Sequence, residues 1–148
     1  MTNNPDTPVY TISNAAKLLG ISIPTLRMYE KEGLIVPFKK ESNQRLYSLT
    51  DIHRIRCIRE TINRDKISIA GIKRILSLIP CWDIIKCTAE DQTNCMAFRE
   101  HTKPCWDYNH TTGICGTKQC RDCEVYLQFA ECSKIKSHFI SITLNRNS

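Results

Sequence analysis

The sequence lacks any apolar run near the roughly 18 residues that a membrane-spanning helix needs, which excludes a helical span. Met1 to Pro8 is polar and has no apolar core of the signal-peptide kind, so a cytoplasmic location is expected. A glycine-rich phosphate loop, a Ser–His–Asp candidate order and a clustered carboxylate pair are all missing, and these absences argue against an enzyme. Cysteine is scarce in the first half, where only Cys57 precedes residue 81. Net charge is missing from the second half, where residues 81–148 hold eight Lys and Arg against eight Asp and Glu. Two stretches of different chemistry are therefore joined in one chain.

What is present follows the same division. The 148 residues suffice for one ordinary domain or two small ones. The net charge of +6 lies wholly in residues 1–80, with thirteen Lys and Arg against seven Asp and Glu. Such a half suits a phosphate backbone, whose neutralisation releases counterions, although a solvated basic face would look the same. Residues 1–9 read as an arm without structure. Thr11 or Ser13 can cap a first helix carrying Ile12, Ala15, Ala16 and Leu19 on one stripe, and Gly20 stops it. Ser22 caps a second helix, with Pro24 tolerated in its first turn and Leu26 inward. Two helices joined by so short a turn have helix-turn-helix spacing. Leu34–Phe38 and Arg45–Tyr47 then flank a polar loop that begins with Lys39 and Lys40, which predicts a β-hairpin wing. Thr50 is expected to cap a third helix, with Ile52, Ile55, Ile58 and Ile62 inward and His53, Arg54, Arg56, Arg59 and Arg64 outward. Ser68 is expected to cap a fourth, with Ile69, Ile72, Ile75, Leu76 and Ile79 inward and Pro80 ending it.

Several of these residues, taken together, carry a resemblance. Tyr10-Thr11-Ile12, Ala15-Ala16, Thr25-Leu26-Arg27, Tyr29-Glu30, Gly33-Leu34, Arg45-Leu46-Tyr47 and Asp51-Ile52 stand in the order and spacing of the MerR family of transcription regulators. Leu26–Glu30 with Ile69–Leu76 is most similar to that family's heat-shock repressor branch, apart from Met28, where many members have a second tyrosine. The resemblance implies a homodimer that binds double-stranded promoter DNA, with RNA polymerase as a further partner. It implies that the second helix enters the major groove, placing Ser22, Thr25 and Arg27 on or beside the reading surface. Tyr29, Arg45 and Tyr47 become phosphate or wing contacts, beside Lys39 and Lys40 of the wing. Arginine suits bidentate contact with guanine or phosphate, while Ser22 can equally be only a cap and the tyrosines can equally pack the helix–wing joint.

From Pro80 the composition changes. Eight cysteines stand at Cys81, Cys87, Cys95, Cys105, Cys115, Cys120, Cys123 and Cys132, and Pro80-Cys81-Trp82-Asp83 returns as Pro104-Cys105-Trp106-Asp107. This half resembles a small cysteine-rich module marked by paired Cys-Trp dipeptides. Cytosolic thiols stay reduced, so clustered cysteines read as metal ligands or redox sensors. Three readings stay open: an iron–sulfur cluster held by thiolates in a site closed by tertiary folding, tetrahedral zinc with help from His101 or His110, or thiols that oxidise to disulfides and switch the fold. Cys57, apart on the third helix, reads as a small buried residue. A C-terminal helix is expected from about Gln119 to Leu144, with Val125, Phe129, Cys132, Ile135, Phe139 and Ile142 forming a stripe that either makes a dimer contact or packs on the chain's own cysteine domain.

The expected architecture is mainly α: a winged helix-turn-helix at residues 9–79, a cysteine-rich metal or redox domain at 80–132, and a C-terminal helix and tail at 133–148. The alternative is a zinc-binding adaptor acting through protein contacts.

Overall fold

The computed structural model describes residues 4–100, 102–108, 115, 119–129, 140 and 144. The first 80 residues build a winged helix-turn-helix. Strand β1 (Tyr10–Thr11) leads directly into α1 (Ile12–Leu19), whose N-terminus is capped by the Thr11 hydroxyl accepting from the Asn14 amide. Gly20 adopts a left-handed conformation (φ 67°), the C-terminal stop that glycine takes without a Cβ penalty. Helix α2 (Ile23–Lys31) starts from Ser22, whose hydroxyl accepts from the Thr25 amide at 3.2 Å. Strands β2 (Phe38–Lys39) and β3 (Arg45–Tyr47) form the wing, and β1 pairs antiparallel with β3 on its other side, giving the sheet order β1-β3-β2. The third strand was not legible as a strand, because two residues show no alternation.

Helix α3 (Leu49–Asn63) is capped by Ser48, not Thr50. Ser48 and Asp51 form a reciprocal capping box, with the Asp51 amide donating to Ser48 Oγ at 3.1 Å and the Ser48 amide donating to Asp51 Oδ2 at 2.9 Å. Thr50 instead holds the N-terminal arm: its amide donates to the Pro5 carbonyl and its hydroxyl to Asp6. The Val9 amide also donates to the Tyr47 carbonyl, so residues 4–9 pack on the domain and are not a free arm. Helix α4 (Ile69–Ser77) begins at Ser68 as expected.

Ala15, Ala16, Leu26, Tyr29, Leu34, Ile35, Tyr47, Ile52, Ile55, Ile58 and Ile72 form the core of this half. Small Ala15 and Ala16 let α1 approach closely. Two inward–outward assignments reverse: Ile75 is exposed, and Arg54 is 2 % exposed on the inner side of α3.

Beyond α4 the elements found among the described residues are short: α5 (Cys81–Ile85), α6 (Ala89–Asn94), α7 (Met96–Arg99) and α8 (Glu124–Gln128), with 3-10 turns at Cys105–Asp107 and Cys120–Asp122. A second core gathers Ile79, Ile85, Trp106, Val125, Tyr126 and Phe129, and Leu76 touches both cores. The expected helix is not continuous over 119–129, since the backbone leaves helical geometry at Cys123 and again at Phe129, while Ile140 and Leu144 are helical. Val125 and Phe129 are buried within the chain's own second core, so they are not a dimer stripe. Cys132, Ile135, Phe139 and Ile142 lie outside the described residues, as do His101 and His110. Cys57 is disulfide-bonded rather than a plain buried thiol.

Candidate nucleic-acid interface and cysteine cavity

The second helix and wing present one polar, basic surface. Ser22 and Arg27 are exposed and Thr25 half-buried, with the Ser22 and Thr25 hydroxyls 2.8 Å apart. Lys39 and Lys40 are exposed in the wing. Arg45 lies between wing and helix, its Nε donating to Glu30 Oε2 at 2.6 Å, while Lys39 Nζ stands 3.6 Å from Glu30 Oε1. Glu30 thus fixes the wing to α2. Tyr29 and Tyr47 are 1 % and 0 % exposed and belong to the core, in keeping with the packing reading of the two. Burial, followed by the nearby Glu30 carboxylate, raises the Tyr47 phenol to about 12.

The cysteines converge. Cys81, Cys87, Cys95, Cys105, Cys115, Cys120 and Cys123 line one cavity of about 40 Å³, together with Trp82, Phe98, Trp106 and Tyr126. That is room for about three water-sized groups, the scale of a metal ion or small inorganic cluster. The two Pro-Cys-Trp-Asp copies meet here: Cys81 and Cys105 share a hydrogen bond, and each tryptophan packs edge-on against another ring at 5.2 Å, Trp82 on Phe98 and Trp106 on Tyr126. Cys105 keeps its proton and donates, which pushes its own titration up and holds Cys81 down. Burial raises Cys87 and Cys120, and lifts Cys115 to about 12. Among the described residues no three His, Cys, Asp or Glu side chains are already gathered at metal-holding distance; the sulfurs stand around the cavity wall. An all-sulfur donor set in an apolar cavity nevertheless fits soft, thiolate-binding metals.

The cavity wall is locked to the helix-turn-helix by contacts that the sequence pattern did not reveal. Tyr126 Oη accepts from the Val36 amide at 2.9 Å and donates to Asp51 Oδ1 at 3.0 Å. Arg121 Nη1 reaches Asp51 Oδ2 at 2.8 Å and the Val36 carbonyl at 2.7 Å. Trp106 Nε1 donates to the Gly33 carbonyl at 2.8 Å. Arg54 donates to the Tyr126 carbonyl and stacks over the Tyr126 and Trp106 rings. Gly33 (φ 75°) needs its missing Cβ twice, since any side chain there would also run into the Asp107 carboxylate. One signal was available for part of this lock. Asp51 and Arg54 lie in phase with Ile55, Ile58 and Ile62 at i, i+3, i+4, i+7 and i+11, so charge was written into the apolar stripe of α3.

Fold and surface together define a winged helix-turn-helix unit. Residues 10–79 match the family described as MerR HTH family regulatory protein, and this stretch is a MerR-family helix-turn-helix domain. The chain is 44% identical over 73 residues to the putative heat shock protein HspR of Streptomyces coelicolor, covering 49% of this chain and 48% of that protein. It is 27% identical over 96 residues to the HTH-type transcriptional regulator GlnR of Bacillus anthracis, covering 65% and 66%. It is 41% identical over 68 residues to the HTH-type transcriptional regulator ZntR homolog of Haemophilus influenzae, covering 45% and 50%. The chain therefore spans between about half and two thirds of the length of these three relatives. No described helix is long and apolar enough to cross a membrane.

Proposed function

We propose that this protein is a sequence-specific, DNA-binding transcription regulator whose binding is governed by a metal centre in the cysteine cavity. The observation that carries the reading is the joint: one end of the cavity wall, Trp106 and Tyr126, is hydrogen-bonded to Gly33 and Val36 between the reading helix and the wing. Ser22, Thr25 and Arg27 are assigned to base edges and nearby phosphates, and Lys39, Lys40 and Arg45 to the flanking backbone. Tyr29 and Tyr47 support that surface from within. The seven cysteines around the cavity offer more thiols than the four that one zinc ion or one iron–sulfur cluster takes; an iron–sulfur centre is the reading proposed, with zinc as the alternative. When bound, such a centre supplies cross-linking and a redox-sensitive charge. Reading successive major grooves about 34–36 Å apart requires two copies, so the active form is a homodimer. The division into units at 9–79 and 80–132 is retained as part of this proposal.

The test is fluorescence anisotropy with duplexes selected from a random pool by the full chain. Arg27→Ala is expected to cost about 1–3 kcal/mol on the selected duplex and to relax its sequence preference. Lys40→Ala is expected to weaken binding to every duplex evenly and lower the slope of log affinity against log salt by about one. If neither variant differs from wild type, the surface is misassigned. Selection that yields no duplex, alongside salt-insensitive capture of a protein, would favour an adaptor.

A further inference from the structure

We infer that Arg54 is the built-in counter-ion of an anionic metal–thiolate centre, an assignment that rests on the metal reading above and adds its electrostatics. The first observation is a charge imbalance. Asp51, Arg54 and Arg121 are all buried at the joint, two guanidinium groups against one carboxylate. Arg121 takes the carboxylate, through Asp51 Oδ2. The other oxygen, Oδ1, accepts from Tyr126. Among the described residues Arg54 has no carboxylate in salt-bridge range, and its Nε and Nη1 have no hydrogen-bond partner. One positive charge is left over in a place from which water is excluded, where an uncompensated ion is costly.

The second observation is direction. The Arg54 guanidinium lies 3.9 Å from the Tyr126 ring centroid and 4.9 Å from that of Trp106. Both rings line the cysteine cavity, so the cation stands one aromatic layer behind its wall. Burial pulls the Arg54 titration down, and the groups around it, Tyr126 and Asp51 before Cys105, act in the opposite sense. Neutral thiols or a disulfide would leave the imbalance as it stands. Four thiolates around a dication carry two negative charges in excess and would offset it. The same cation would then favour loading of the cavity, and it sits on α3 directly beneath the joint with the wing.

The experiment uses the full chain with Co²⁺ as an optical probe of thiolate ligation, titrated anaerobically against a competing chelator. Arg54→Met keeps the volume and removes the charge; Arg54→Lys keeps the charge and loses the planar stacking. The counter-ion role requires Arg54→Met to weaken Co²⁺ binding at least tenfold, with the absorption per bound ion unchanged, while Arg54→Lys stays within threefold of wild type. Equal affinity in wild type and Arg54→Met would overturn the counter-ion role and leave the metal reading standing. Equal loss in both variants would also overturn it, since a packing role would explain that pattern. Wild-type protein that takes up no Co²⁺ would overturn the metal reading itself. Should Arg54→Met fail to fold, Arg54→Lys decides alone: retention within threefold supports the role, and a tenfold loss ends it.

Discussion

Asp51→Ala is expected to remove roughly 3–5 kcal/mol of stability, the usual cost of breaking a buried ion pair from one side. Three structures meet on this one carboxylate. It closes the capping box of α3 with Ser48, it pairs with Arg121, and it accepts from the Tyr126 hydroxyl. The capping loss alone is worth about 1 kcal/mol. The larger part comes from Arg121, only 9 % exposed, which loses the one carboxylate it pairs with among the described residues, and from Arg54 buried nearby. Burial pushes the Tyr126 phenol well above its ordinary range, so it stays protonated and loses its acceptor outright. Urea unfolding of the full chain measures the change. A loss below about 1 kcal/mol would mean that the joint contributes little and that the two halves are only loosely associated.

Stripping the metal is expected to melt the cysteine-rich half and leave the helix-turn-helix folded. The helices α5 to α8 have five, six, four and five residues, too short to persist alone. Among the described residues their shared core has six buried residues. Such a segment depends on coordination, which in structural zinc peptides supplies about 10–16 kcal/mol at neutral pH. The first half has a core of eleven buried residues and capped helices, and needs no such help. After anaerobic chelation of the loaded protein, limited proteolysis should cut between residues 80 and 129 while most of the helical circular dichroism of residues 10–77 remains. Resistance to protease that is the same before and after metal removal would refute this dependence.

Sequence and structure agree best where pattern is local. The caps at Thr11, Ser22 and Ser68, the stop at Gly20 and the wing between Phe38 and Tyr47 are each set by a few adjacent residues. Agreement fails where a distant partner decides. Arg54 reads as a surface cation on α3 until Tyr126 and Trp106, residues far along the chain, arrive to cover it. Tyr29 and Tyr47 are open to a contact or a packing reading alike, because a tyrosine carries a polar tip on a large ring, and only the fold shows their rings in the core behind α2. Ser48 displaced Thr50 as the cap because Asp51 completes a box with it, and Thr50 was claimed by the arm. The cysteine spacings showed that a site would have to close by tertiary folding. The repeat of Pro-Cys-Trp-Asp gave no hint that Cys81 and Cys105 would face each other across it.

The central claim is that the state of the cysteine cavity sets DNA binding through Val36 and Gly33 at the root of the wing. The most direct measurement is the affinity of the full chain for one selected duplex, at fixed salt, with the metal loaded and after anaerobic removal. The expected result is a weakening of at least tenfold on removal, about 1.4 kcal/mol, restored by reloading. Equal affinity in the two states, with the metal shown to be fully removed, would contradict the claim.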